Sequence, residues 1–305
     1  RGDSSGGAAA SDLVRDPMVD IGIFELARGG LLKKGMQIDG VDVAAVLNVY
    51  DNHIGLDGIS TREEMAAVKS ILVKSARQWV FLNADDPLVM GMRELNKGVK
   101  IGLVSQQAAN PLVAEHRQAG HCTVNVEVSG GEASLCLTDK SQVIFQLPLS
   151  RIPASLGGKA DSIAANALFA AGIAYALGLP THAIEQGLSG FTSDLSGNPG
   201  RHNWIEGFPF ELLLHLADGV EAFADLVATL AAAPPEGLRH LYLTLPGNRS
   251  DDYIRAQARV VAGHSVTPTR RVTSRFDGRV ILLDTGMFAA AYQGNRPKFG
   301  PSYII

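Results

Sequence analysis

Val43-Ala44-Ala45-Val46-Leu47 is an unbroken apolar run, and the same texture returns at Trp79-Val80-Phe81-Leu82 and at Ile101-Gly102-Leu103-Val104. Short apolar runs bounded by polar punctuation suit strands buried on both faces of a parallel sheet. Between the first two runs, Thr61 precedes Glu63 and Glu64 at the head of the amphipathic segment Met65 to Val73. A hydroxyl N-cap followed by early acidic residues marks a helix start. Between the second and third runs, Asp85 to about Leu95 reads as another helix. Strand–helix–strand alternation implies right-handed crossovers and an α/β layer architecture. Upstream, Ile21-Gly22-Ile23-Phe24 is expected to be a further strand of the same kind.

Downstream the texture changes. Thr123 to Val128, Ala133 to Leu137 and Val143 to Leu147 are spaced as a meander, with turns at Gly130-Gly131 and Asp139-Lys140. Residues 162–178 form an Ala-rich helix ending near Gly178, with Pro180 preventing its continuation. A shorter helix runs from about Thr181 to Gly187. A Ser-, Gly-, Asn- and Pro-containing segment, Ser193 to Gly200, marks a domain boundary. Beyond it, strands are predicted at 210–214, 241–245 and 280–283, with helices at 220–230 and 251–262. The domains are therefore placed at 1–195 and 196–305, the second a small α/β unit; 295–305 has no clear periodicity.

Composition excludes several classes. The 305 residues are 46% hydrophobic and 19% charged, which argues against disorder and suits two packed cores. Net charge is −4 with scattered basic residues, so no nucleic-acid partner is expected. No apolar run has the length of a membrane span. Two cysteines, Cys122 and Cys136, in so long a chain fit a reducing cytoplasm, although their spacing also permits a disulfide. The opening Arg1-Gly2-Asp3-Ser4-Ser5-Gly6-Gly7 reads as a mid-protein loop, so the sequence is expected to be part of a longer polypeptide.

Six motifs in order carry a resemblance. Phe24-Glu25-Leu26-Ala27-Arg28-Gly29-Gly30-Leu31-Leu32 resembles the "ETARGGIL" segment of cyanophycin synthetases, and Asn48-Val49-Tyr50-Asp51-Asn52-His53-Ile54-Gly55 resembles their "NVxxDHLG". Lys69 falls on a lysine that follows it, and Leu82-Asn83-Ala84-Asp85-Asp86-Pro87 matches "LNADDP". Asn198-Pro199-Gly200-Arg201 matches "NPGR", and Pro246-Gly247-Asn248-Arg249-Ser250-Asp251-Asp252 is similar to "PGDRRDED". The resemblance spans residue 1 to about 260. It implies a Mur-ligase-like central domain followed by a small Rossmann-like α/β domain. It also implies an ATP-dependent amide ligase lineage that works through an acyl-phosphate, with ATP and Mg²⁺ as cofactors. Implied partners are an ATP-grasp domain, a second copy of the chain, and an aspartate- and arginine-containing peptide.

Acyl-phosphate formation brings two anions together, so such a site needs cations and oriented N–H groups. The resemblance makes Glu25 and His53 the metal ligands. By themselves they read equally as a strand-end carboxylate capping the Ala27–Gly30 turn and as a loop histidine. Lys69 shares a helix face with Met65 and Leu72. In several Mur ligases the matching lysine is carbamylated and bridges metals, which would make Lys69 the catalytic candidate; the plainer reading is a lysine snorkelling from an apolar face. Asn166 and Arg201 are the candidate nucleotide contacts, and Arg201 could equally pair with Glu206.

The departures from the family pattern bear on activity. The string G-x-x-x-x-G-K-[ST] is absent, its nearest likeness being Gly157-Gly158-Lys159-Ala160. Asn52 stands where the family has Asp before its histidine. In the segment matching "GGxARFNxxNA", the first asparagine is Ile163, which cannot hydrogen-bond a base edge. Where "DYAHNP" is expected, the chain reads Leu214-His215-Leu216-Ala217-Asp218-Gly219-Val220-Glu221-Ala222. A degenerate, structural domain is the first expectation. An active ligase half whose P-loop lies upstream of Arg1 is the second, and a module binding a polymer or dipeptide through Arg28, Lys33, Lys34 and Arg201 a third.

Overall fold

The computed structural model of the protein describes residues 7–51, 54–207, 212–217, 219–232, 273–275 and 280–282. Two compact units divide the chain, Arg1–Leu214 and His215–Ile305.

The first unit opens with two short helices, α1 (Gly7–Arg15) and α2 (Arg28–Lys34), joined by a segment with no regular structure. The expected strand at 21–24 does not form. Met18, Ile21 and Ile23 stand 86%, 51% and 85% exposed, and no neighbouring strand among the described residues supplies a ladder to them. A strand alone has no partner for its N–H and C=O groups, so an apolar run without a neighbour does not become one.

The apolar run at residue 43 does form a strand, β1 (Val41–Val46), and Thr61 caps the helix that follows, α3 (Arg62–Ser75). Thr61 Oγ1 accepts from Glu64 N while the Glu64 carboxylate accepts from the Thr61 N–H, a reciprocal capping box. Next come β2 (Ala76–Asn83) and α4 (Pro87–Met90), with a 3₁₀ turn at Arg93–Leu95. The helix expected over 85–95 is thus divided in two near Gly91. β3 (Lys100–Ser105) leads to α5 (Pro111–Gln118), a helix absent from the sequence-based reading but marked by Asn110 as N-cap and Pro111 in the first turn.

The meander follows as β4 (Thr123–Ser129), β5 (Glu132–Asp139) and β6 (Gln142–Pro148). The six strands make one sheet in sequence order, parallel from β1 to β4 and antiparallel from β4 to β6. α6 (Asp161–Ala176) and α7 (Thr181–Gly190) complete the layer. α6 ends as Gly178, at φ 78°, donates its N–H to Tyr175 O while Leu179 N reaches Ala174 O.

The sheet is covered on both faces. Ala44, Val46, Val80, Leu82 and Leu103 pack with Met65, Val68 and Val73 of α3. Trp79, Phe81, Val104, Val124, Leu135 and Leu137 pack with Ala167, Leu168 and Ala171 of α6. Cys122 and Cys136 are both buried free thiols, and the β4–β5 register sets Cys136 opposite Asn125, three positions from Cys122. They are therefore not bridged.

After a loop, β7 (Asn203–Ile205) pairs antiparallel with β8 (Leu212–Leu214). In the second unit, α8 (Val220–Ala232) agrees with the expected helix, and β9 (Thr273–Arg275) pairs antiparallel with β10 (Val280–Leu282). The expected elements at 241–245 and 251–262 lie outside the described residues.

Candidate functional site

In open α/β sheets, ligands meet the carboxyl ends of the parallel strands. Here that rim is built from charged and amide side chains that seize the backbone. As the chain leaves β1, its carbonyls are taken in succession. Asn83 Nδ2 donates to Leu47 O at 2.7 Å, and Lys69 Nζ to Asn48 O at 2.6 Å. Arg62 donates to Val49 O from Nη2 at 2.6 Å and from Nε at 3.2 Å. The Val49 N–H in turn donates to Asp86 Oδ2 at 2.7 Å, while Asp86 Oδ1 caps α4 through Leu88 N and Val89 N. Arg62 also lies 3.5 Å from Asp51.

A second knot ties β2 to β3. Asp85 accepts from Ser105 Oγ at 2.6 Å, Asn110 Nδ2 at 2.8 Å and Gln106 N at 2.8 Å. Gln106 Nε2 continues to the Asp161 carbonyl at 2.7 Å, linking the rim to the start of α6. Three stretches singled out in the sequence, Asn48-Val49, Lys69 and Asn83 to Asp86, therefore meet at one place.

Lys69 is half-buried on α3. Burial holds its amine below the usual lysine range, and the Asp86 carboxylate partly opposes that shift. Glu25 sits elsewhere in character, exposed on the irregular segment between α1 and α2 rather than at a strand end. His53 lies outside the described residues. Asn166 is exposed on α6. Among the described residues no group of three His, Cys, Asp or Glu side chains is placed to hold a metal. The Lys69 amine is spent on a backbone carbonyl.

Arg201 is exposed at the end of a loop locked by two hubs. Asp194 accepts from Thr192 Oγ1, Ser196 N, Ser196 Oγ and Gly197 N, and those donors hold its carboxyl well below the usual range. The Asn203 amide donates to the carbonyls of Ser193, Asn198 and Arg201, and its oxygen accepts from Gly200 N. Arg62, Asp86 and Asn203 escaped the sequence-based site. The first two join residues 13 and 37 positions apart, and only the Asp-Pro pair at 86–87 hinted at a capping role.

Comparison with known proteins defines the class. The structure matches UDP-N-acetylmuramoylalanyl-D-glutamyl-2,6-diaminopimelate--D-alanyl-D-alanyl ligase from Acinetobacter baumannii with a TM-score of 0.54 and 19% identity, covering 77% of this chain and 48% of that one. A crystal structure of MurF from the same organism gives a TM-score of 0.53 at 20% identity, covering 75% and 47%. The fold is that of the Mur ligases. No protein-family model matches the chain. Its sequence is 35% identical over 257 residues to cyanophycin synthetase of Synechocystis sp., covering 82% of this chain and 28% of that protein. The Crocosphaera subtropica cyanophycin synthetase is 34% identical over 260 residues, covering 83% and 28%. The chain is thus a Mur-ligase-like homologue of cyanophycin synthetase, and it spans less than a third of the length of these relatives. No helix among the described residues is long and apolar enough to cross a membrane.

Proposed function

We propose that this chain is a Mur-ligase-type domain, descended from an ATP-dependent acid–amino acid ligase, that serves a larger enzyme as a scaffold rather than as its nucleotide site. The supporting observation is the engagement of Lys69. The lysine matched to the family's catalytic position donates to Asn48 O at 2.6 Å and so stitches helix to strand. The exposed Glu25 and the substitutions Asn52 and Ile163 point the same way. An ATP-grasp domain or a second copy of the chain is the partner that such a scaffold would carry. The peptide substrate of aspartate and arginine then belongs to the larger enzyme.

A second reading has its own observation. Among the described residues β1 is the outermost strand of the sheet, yet Val43 and Ala45 pack toward one core and Ala44 and Val46 toward the other. Edge strands ordinarily carry charge or irregularity, whereas a strand apolar on both faces suits the interior of a parallel sheet. An active ligase half would complete its site by adding a nucleotide-binding strand there, with ATP, Mg²⁺, Asn166, Arg201, Glu25 and His53 in the roles that the resemblance assigns.

Thermal unfolding with and without millimolar Mg-ATP separates the two. A ligand at about a hundredfold its Kd stabilises the native state by about 2.7 kcal/mol, a shift of several degrees in a domain of this size. A scaffold gives no shift with Mg-ATP, Mg-ADP or a non-hydrolysable analogue. A shift abolished by Arg201→Ala would overturn the scaffold reading in favour of the ligase.

A further inference from the structure

We propose that Arg28 presents a preorganised guanidinium edge, made of Nε and Nη2, that binds the carboxylate group of an external acid. The site shares no residue with the rim of the sheet and asks nothing of ATP or Mg²⁺, so it goes beyond the scaffold reading.

Arg28 lies on α2 and reaches the turn that follows β1. Its Nη1 donates to the Leu56 carbonyl and to Asp57 Oδ2, both at 3.2 Å. These two acceptors hold the guanidinium from one side. The turn that supplies them is tight and anchored. Ile59 N returns to Leu56 O, Gly55 N reaches Ile59 O, and Ile59 is buried. Asp57 and Gly58, at φ 53° and 80°, take the left-handed conformations of a two-residue hairpin turn. Lys33 stands 3.5 Å from the other Asp57 oxygen, Oδ1, and fixes the carboxylate from a second direction.

The remaining edge of the guanidinium has a different character. Arginine carries its N–H donors in a rigid plane, and Nη1 accounts for fewer than half of them. Nε is buried and has no hydrogen-bond partner among the described residues, and Nη2 has none there either. The side chain is 9% exposed, so water has little room to serve these donors. The edge is satisfied only when an acceptor from outside these residues closes on it. Nε and Nη2 face the same way, at the spacing that meets both oxygens of one carboxylate in two parallel hydrogen bonds. Charge selects the same class. Arg28 and Lys33 against Asp57 leave a single net positive charge, which one carboxylate offsets and a phosphate dianion exceeds. Because Leu56 and Asp57 already fix the guanidinium, little rotamer freedom is lost on binding.

The test titrates acetate into the intact chain, without Mg²⁺ or nucleotide and at constant ionic strength set with chloride. Arginine Nε–H resonances are followed by ¹⁵N NMR. The Arg28 resonance should move downfield and saturate with acetate but not with chloride. Arg28→Lys keeps the charge without the planar edge; it should weaken acetate binding about tenfold, read from the Leu56 and Asp57 backbone amides. Lys33→Met, at an exposed position outside the edge, should weaken binding less, and only at low salt. N-acetylglycine offers the same carboxylate at a peptide end, so tighter binding than acetate assigns the site to a chain terminus and equal binding to a free acid. An Arg28 resonance that stays still in acetate overturns the proposal, and that result needs no variant to fold. Equal movement with inorganic phosphate overturns the carboxylate assignment. Undiminished acetate binding in Arg28→Lys overturns the guanidinium edge. With no nucleotide present, each result stands apart from the Mg-ATP unfolding experiment on which the scaffold reading depends.

Discussion

Asp86 uses its two carboxylate oxygens on different elements: Oδ2 accepts the buried Val49 N–H at 2.7 Å, and Oδ1 caps α4 through Leu88 N at 2.9 Å. Removing the side chain leaves Val49 unsatisfied inside the protein and uncaps the helix. A lost cap costs about 0.5–2 kcal/mol and a buried unpaired donor about 1–3 kcal/mol. Asp86→Ala should therefore lose roughly 2–4 kcal/mol in urea unfolding. Asp86→Asn keeps only one acceptor oxygen, so it can serve Val49 or the cap but not both, and should fall between. Equal stability of Asp86→Ala and wild type would mean that the two bonds do not support the fold.

The Phe81 ring sits against two glycines, Gly102 on β3 and Gly172 on α6. A Cβ added at Gly172 would come within 2.6 Å of Phe81 Cε1, and one at Gly102 within 2.3 Å. Alanine is the better helix former by about 1 kcal/mol, but overpacking a fully buried aromatic costs typically about 1–3 kcal/mol. Gly172→Ala should thus destabilise, against its propensity. In a Phe81→Leu background the added methyl meets a smaller side chain, so the penalty should shrink and the two changes should not add. Additive effects would show that the ring is not what excludes the methyl.

Several elements were legible because their determinants are local. The Thr61–Glu64 capping box, the meander with its Gly130-Gly131 turn and the Gly178-Leu179-Pro180 stop each lie within a few residues, and each forms as read. Ile21 to Phe24 misled because apolarity specifies a strand only when a neighbour exists to pair with it, and pairing is not written in the run itself. Asn110-Pro111 is a cap and first-turn signal, and it stands immediately at the start of α5. At the rim, motif position located Lys69 and the Asn83 to Asp86 stretch. What those side chains bind depends on contacts such as Val49 to Asp86, 37 residues apart, which no local pattern encodes.

Both cysteines should be inert in the folded chain. Burial pushes the Cys122 thiol up to about 12, with the Asp139 charge adding to it, and burial pushes Cys136 up to about 11. The thiolate is the reactive form, and these groups stay protonated at neutral pH. A chromogenic disulfide reagent at pH 8 should label neither thiol in the native protein and both after denaturation. Rapid native labelling of either would contradict the burial.

His116 should make the first unit sensitive to mild acid. Its Nε2 lies 3.0 Å from the Ile101 carbonyl, and burial, with the His121 ring and the Arg93 guanidinium nearby, holds it below the usual histidine range. The unfolded chain therefore takes up this proton first as pH falls below about 6.5. Stability is retained at neutral pH and drains away from about 6.5 down to the folded-state value. Urea midpoints at pH 7.5 and 5.5 should differ less in His116→Gln than in wild type. An unchanged pH slope would assign the acid sensitivity to other groups.

The exposed apolar residues Met18, Ile21 and Ile23 lead to a prediction about association rather than stability. Met18, Ile21 and Ile23 contact little, so charging them removes almost no packing; surface changes of this kind usually stay within about 0.5 kcal/mol. Three apolar side chains exposed within six residues form a surface on which a second copy can stick. The double variant Ile21→Lys/Ile23→Lys should leave the thermal midpoint nearly unchanged and lower self-association in sedimentation velocity at raised protein concentration. Lysine at 21 and 23 changes charge at exposed positions, so a fall in midpoint would mean that the segment packs on the domain in solution. Persistent association at an unchanged midpoint would move the sticky surface away from this segment.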